Sequence, residues 1–333
     1  MMDFYSLSKK PVIRAQFVIC ITAIVLFGIK MVAWWLTNSI AVLTDALEST
    51  VNVVTGLFGL YTLILSSLPR DDNHPYGHGK VEFLSAAVEG ILILSAGSII
   101  VYEAILNLGK PHEIQQLDLG ILLIAISAIF NYWVGWRAIK LGRRMNTLPL
   151  VSSGKHLHSD TWSTLGIIVG LIFIKVTGIL WMDSVFALIF ACIIIYTGIK
   201  IIRASLAGIM DETDKKLLQE MVAYLELNRR PNWVDLHNLR IIKYGSILHL
   251  DCHITVPWYL NVNEAHEEVS ALENLVKNKF GEQVELFVHT DGCLDFSCGI
   301  CALPNCDKRQ SNFVLRKTWT VENIISNRKH RVE

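Results

Sequence analysis

The stretch LTDALESTVN, residues 43–52, sets Asp45, Glu48 and Asn52 in an otherwise apolar or small-residue run that continues as VVTGLFGLYTLIL. On a helix of 3.6 residues per turn these three side chains fall within an arc of about 60°. A second polar group stands in GKHLHSDTWSTLG: His156 and Asp160, four residues apart, lie one above the other, while His158 points to roughly the opposite side. Two helices that each offer a pair of donors at this spacing can close a four-coordinate site of nitrogen and oxygen, which suits a divalent transition metal. The competing reading is that these groups only hydrogen-bond one helix to another. Charged side chains are a costly way to do that in an apolar setting, which favours the metal site.

Three further constellations follow. In DDNHPYGHGKVE, Asp71, His74 and His78 bring carboxylate and imidazole together, with Pro75, Gly77 and Gly79 shaping the turn. In the last third of the chain His237, His253 and His289 fall in strand-like segments with Asp291 just beyond, and His266 is available on the helix between. Cys293, Cys298, Cys301 and Cys306 form a C-x4-C-x2-C-x4-C array that either wraps one tetrahedral zinc or carries unligated thiols in a flexible tail. A redox C-x-x-C lacks its βαβ setting here.

The elements that must hold these residues are of two kinds. The 333 residues are 52% hydrophobic and 18% charged, with a mean hydropathy of +0.41, too apolar for an ordinary soluble chain of this length. Stretches of roughly 20 apolar residues recur at 12–36, 39–66, 82–107, 117–139, 157–178 and 181–205, predicting a multi-pass helical protein of the lipid bilayer. Arg14 and Lys30 make the first of these the least regular. Basic residues collect at Lys9, Lys10, Arg70, Lys80, Arg137, Lys140, Arg143, Arg144, Lys155, Lys200 and Arg203, against Lys110 and Lys175 on the other side. That asymmetry puts both termini, and hence the soluble part, in the cytoplasm. The formal net charge is zero, so overall charge gives no sign of a nucleic-acid partner, and none is expected. From Asp211 onward the order is helix, strand, strand, helix, strand, an α+β domain of about 80 residues. The division expected is 1–210 for the membrane part, 211–292 for this domain, and 293–333 for a Cys-rich segment with a basic tail that touches anionic lipid or is disordered.

The spans with cytoplasmic ends, the loop HPYGHGKVE, the ligand pairs of the second and fifth spans and the αββαβ tail together resemble the cation diffusion facilitators over about residues 12–292. The resemblance implies a metallochaperone-like (ferredoxin-like) cytoplasmic domain and a homodimer that exchanges divalent metal for protons by alternating access, with zinc as substrate and regulatory ligand. In a bacterium it implies the inner membrane. It places the transport site on Glu48, Asn52, His156 and Asp160, with Asp45 as a possible outer partner. The loop site falls on Asp71, His74 and His78. The cytoplasmic site falls on His237, His253, His289 and Asp291, with His266 bridging. Lys80 and Asp211 take the places of an inter-subunit charge interlock. Glu48 and Asn52 depart from the commoner ligands of zinc-selective relatives, so iron, manganese, cobalt and cadmium stay open beside zinc. A membrane metalloprotease is disfavoured, because HEEVS at 266 lacks the second histidine of H-E-x-x-H. A passive channel and a sensor that moves nothing are the remaining alternatives.

Overall fold

The computed structural model describes residues 11–66, 68–109, 115–144, 148–244, 247–281 and 284–332. Lys9, Lys10 and Lys110 of the charge argument, and the expected Gly245–Ser246 hairpin turn, lie outside them. The chain divides into two compact units, one of residues 1–68 and 81–206, the other of 69–80 and 207–333. The loop carrying Asp71, His74 and His78 therefore belongs with the soluble unit rather than with the helices that flank it in sequence.

The first unit is built on α1 (Pro11–Thr37), α2 (Ile40–Ser66), α3 (Val81–Gly109), α4 (Leu117–Arg144), α5 (Leu148–Thr177) and α6 (Met182–Ile209). All six are long and apolar enough to cross a membrane. Large apolar side chains such as Phe17, Trp35, Tyr102, Val176 and Tyr196 face outward, as a lipid solvent permits, whereas Ala33, Ala41, Ala46, Ala104, Ala187 and Ala191 are buried between helices. At Gly135 and Gly154 the backbones of α4 and α5 come so close that a Cβ on either would sit under 3 Å from the other's carbonyl oxygen. This contact seats the end of α5 from which His156 projects. Asp183, at the start of α6, fixes the start of α2: Ser39 Oγ donates to it at 2.6 Å and the Ile40 amide at 2.5 Å. The second of these satisfies an amide group that a helix start leaves without a partner.

The second unit contains α7 (Lys215–Leu227), β1 (Asp235–Tyr244), β2 (Ile247–Val256), α8 (Val262–Phe280) and β3 (Val284–Gly292), in the expected order. Asp214 caps α7 by accepting from the Lys216 and Leu217 amides, Asn261 and Glu264 close a capping box on α8, and Gly281, with φ of 98°, ends it. The sheet runs β1-β2-β3, antiparallel then parallel. Its core joins Leu218, Met221, Leu225, Leu236, Leu250, Ile254, Leu272 and Val276.

The segment after β3 differs from the expected free tail. A 3-10 turn (Asp295–Gly299) and α9 (Val321–Ile324) bring Trp319 and Ile324 into the same core, 3% and 0% exposed. Arg229 locks this arrangement. It donates to the carbonyls of Trp233 and Lys317 at 2.9 and 2.8 Å and to that of Val234, with its guanidinium 4.1 Å from the centre of the Trp319 ring. Burial holds its pKa down at about 10. The basic tail is thus an ordered part of the domain rather than a disordered end, because Trp319 and Ile324 bury themselves in the core with Val321 packed against it.

Candidate metal centres

In the first unit, Asn52 of α2 stands between the two α5 side chains: its Nδ2 donates to Asp160 Oδ2 at 2.7 Å, and its Oδ1 lies 3.0 Å from His156 Nε2. An amide oxygen only accepts, so in this arrangement Nε2 carries the proton. His156 Nε2 is 3.9 Å from Asp160 Oδ1. Glu48, one turn before Asn52, lines the same cavity of about 120 Å³, which is closed by apolar residues of α3 and α6 including Ile93, Ile194 and Ile201. The four residues expected to form one site are therefore gathered by two helices around one space. His158 faces away, its ring stacked on Tyr132 at 4.8 Å.

Asp45 does not line that cavity. Its Oδ1 takes the Lys30 ammonium at 2.7 Å and the Thr164 hydroxyl at 2.8 Å, and both charged side chains are essentially sealed, 1% and 0% exposed. The same Thr164 hydroxyl lies 2.9 Å from the Asp160 carbonyl one turn below, so its one proton is shared between the two acceptors. Asp45 is thus the counter-charge of Lys30 and reaches the ligand-bearing helix through Thr164, outside the four candidate ligands that line the cavity. Lys30 is the residue that sequence reasoning missed. The signal available was a lysine deep in the first span facing the two acidic residues of the second.

In the second unit, Asp71 organises its loop. Its Oδ1 accepts from the His74 ring at 2.9 Å and the His74 amide at 2.6 Å, and its Oδ2 lies 3.4 Å from His78 Nε2. Desolvation pulls the Asp71 carboxyl up, but the His74 ring and backbone bonds outweigh it and hold it below its ordinary value. The three donor groups lie within 4.8 Å of one another, and His78 Nδ1 is buried without a hydrogen-bond partner. Lys80 Nζ meets Asp211 Oδ2 at 3.0 Å within a single chain, where the interlock was expected between subunits.

The sheet aligns the remaining histidines. His237 is opposite His253 in the β1–β2 register and His253 is opposite His289 in the β2–β3 register, which sets three imidazoles in a row on one face. Asp291, two residues beyond His289, lies on that face too: its Oδ2 is 3.7 Å from His237 Nε2 and 3.4 Å from His253 Nδ1, and its Oδ1 is 3.7 Å from His289 Nε2. His237, His253 and Asp291 form a group within 4.8 Å, in which His237 Nδ1 and Asp291 Oδ2 are buried without hydrogen-bond partners. Burial holds the His237 imidazole below its ordinary pKa against the pull of Asp235 and Asp291, favouring the neutral form that ligates a metal. Donor types and unpaired atoms both fit a divalent ion. His289 is largely exposed at the rim, and His266 stands on α8 outside the group. The tail contributes a competitor: Lys329 Nζ is 3.2 Å from Asp291 Oδ1. The four tail cysteines all line one small cavity.

Residues 16–210 match the family model described as the cation efflux transmembrane domain, and residues 215–293 match the one described as the cytoplasmic domain of cation efflux proteins. Among curated proteins the chain is 31% identical over 257 residues to an uncharacterised transporter of Synechocystis sp., covering 77% of this chain and 83% of that protein. It is 24% identical over 271 residues to the cation-efflux pump FieF of Shewanella oneidensis, covering 81% and 90%. It is 23% identical over 285 residues to the manganese efflux system protein MneP of Bacillus subtilis, covering 84% and 95%.

Proposed function

Because the chain belongs to the cation diffusion facilitator, or cation efflux, family, we propose that it carries divalent transition-metal cations out of the cytoplasm in exchange for protons. The observation that carries this reading is the convergence of Glu48, Asn52, His156 and Asp160 on one cavity inside the helical unit. A cation entering it is ligated by the Asp160 and Glu48 carboxylates, the Asn52 carbonyl oxygen and the His156 imidazole. Ligation through His156 Nε2 requires the proton held there to leave or to move to Nδ1, and it breaks the Asn52–Asp160 bond. Reprotonation after the helices reopen outward favours release, since metal and proton compete for the same lone pairs. Zinc is the substrate best matched to a histidine-containing four-donor set; the manganese efflux relative keeps manganese as a second reading.

Both termini lie in the cytoplasm, the functional unit is a homodimer, and in a bacterial cell the inner membrane is its place. The charge asymmetry of the linking segments supports the first. The match of residues 215–293 to the cytoplasmic domain model supports the soluble unit's lying on that side. His237, His253 and Asp291 hold a regulatory ion whose two positive charges offset the Asp291 carboxylate and occupy the unpaired His237 and Asp291 atoms.

The test is uptake by sealed proteoliposomes with and without a pH gradient, across zinc, manganese, iron, cobalt and cadmium. Exchange predicts metal flux that a pH gradient accelerates and that moves protons the opposite way, abolished in the double variant His156→Ala with Asp160→Ala. Wild-type flux in that variant would overturn the site. Flux indifferent to the gradient and without proton movement would mark a channel, and none in any metal a sensor.

A further inference from the structure

Beyond the transport reading, and independent of it, we propose that Cys293, Cys298, Cys301 and Cys306 bind one resident zinc ion that staples the C-terminal segment onto the soluble unit. Cys301 is buried and the other three thiols are half-buried, and all four are free. They surround one cavity of about 20 Å³, room for a single small occupant. Among the described residues the sulfurs do not form a group within 4.8 Å as the two histidine centres do, so binding draws them inward across this space. The surrounding groups suit thiolates. The Gln310 amide donates to Cys298 Sγ at 3.4 Å and the Tyr259 hydroxyl to Cys306 Sγ at 3.6 Å, and outer donors of this kind orient ligand sulfurs and spread their charge. The Arg309 guanidinium gathers the loop, donating to the carbonyls of Cys298, Cys301 and Leu303 at 3.0, 3.1 and 2.7 Å.

The fold supplies the independent support. Cys293 is pinned to the sheet by its amide, which donates to the Val256 carbonyl at 2.8 Å. From there to Thr320 the only helical structure is the turn Asp295–Gly299, although loops beyond about 12–15 residues without secondary structure are uncommon in compact domains. Yet this stretch returns Trp319 and Ile324 to the core with defined contacts. A small domain that orders so long a connection needs a cross-link, and a four-thiolate zinc supplies one. Cys298, Cys301 and Cys306 lie beyond residue 293, where the matched cytoplasmic-domain model ends. Soft thiolates also select zinc over manganese, so this ion is distinct from the cargo even if the cargo is manganese.

The test uses the full chain purified in detergent under reducing conditions with no metal added. X-ray absorption at the zinc edge is expected to show sulfur neighbours at about 2.3 Å. The double variant Cys298→Ser with Cys301→Ser is expected to lose that sulfur shell and one zinc per chain, while His237→Ala with His253→Ala keeps both. Hydrogen exchange across residues 321–332 should accelerate in the thiol variant alone. If that variant does not fold, titration of the wild-type chain with a mercurial reagent should release one zinc as four thiols react. Zinc bound only to nitrogen and oxygen, a mercurial titration that frees no zinc, or paired disulfides among these cysteines under reducing conditions would overturn the proposal.

Discussion

Replacing Lys30 by Met isolates the worth of the ion pair inside the helical unit. Lys30 Nζ and Asp45 Oδ1 are 2.7 Å apart with both side chains sealed from solvent, and Asp45 Oδ2 has no hydrogen-bond partner. At an effective dielectric constant near 20, unit charges about 4 Å apart attract by about 4 kcal/mol. Removing one member of a buried pair accordingly costs about 3–5 kcal/mol, because the other charge is left uncompensated. Lys30→Met is expected to lower unfolding stability by that amount, with the Thr164 hydroxyl left to solvate the carboxylate. Lys30→Met combined with Asp45→Leu removes both charges and should recover most of the loss. The assay is a double-mutant cycle in denaturant, with transport measured on each variant in proteoliposomes. Thr164 and Asp160 share a helical turn, so the single variant should also raise the metal concentration needed for half-maximal transport, and the double variant should restore it. If the double variant is no more stable than Lys30→Met, the pair is not the source of the cost and the reasoning fails.

Other expected outcomes are as direct. Asn52→Asp replaces a donor to Asp160 with a third charge at the cavity, so zinc should bind at least about tenfold more tightly by competition titration, at about 1.4 kcal/mol per tenfold. Lys329→Ala removes an ammonium 3.2 Å from Asp291 and should tighten metal binding to the His237, His253 and Asp291 group about fivefold, as a partly exposed charge pair worth about 1 kcal/mol implies; unchanged calorimetric affinity would refute the competition. Asp214→Ala removes the cap of α7 and should cost about 1 kcal/mol, read as faster hydrogen exchange in that helix. The Lys243 hydrogen bond, then that from the Leu217 amide, holds the Asp214 carboxyl below its ordinary value, so its stabilisation is complete above about pH 4 and disappears as pH falls through the depressed value; α7 exchange should quicken there in the wild type and not further in the variant.

How legible each centre was depended on the distance over which its signal acts. Helical spacing alone paired His156 with Asp160 and aligned Glu48 with Asn52, since neighbours on a helix are set by local geometry. The extent of α5 was less legible: it begins at Leu148, about nine residues before the apolar stretch at 157, because the polar SSGKH ahead of that stretch lowers the hydropathy of a helix that in fact continues through it. The Lys30–Asp45 pair needs the packing of α1 on α2, which no spacing encodes. The row of imidazoles rests on β3 joining β2 in parallel, a register that β1 and β2 cannot reveal on their own. The fate of the tail turned on Trp319 and Ile324, two apolar residues among charges whose partners lie about a hundred residues earlier.

Asp45 is cancelled by Lys30, and Asn52 stands where a further carboxylate would make a third charge. When both are ionised, Glu48 and Asp160 place two negative charges around the cavity, which a divalent cation balances where a monovalent one does not. In the metal-free arrangement Asn52 also acts as a brace, because by donating to Asp160 and accepting from His156 it spans the donors that the ion must otherwise bridge. An aspartate there would repel Asp160 instead, binding the cation more strongly but leaving the empty cavity without that cross-link. On the proposed transport reading, the Glu48–Asn52 pair gives up ground-state affinity for a metal-free site that holds its shape, which suits a carrier that must release its ion on each cycle.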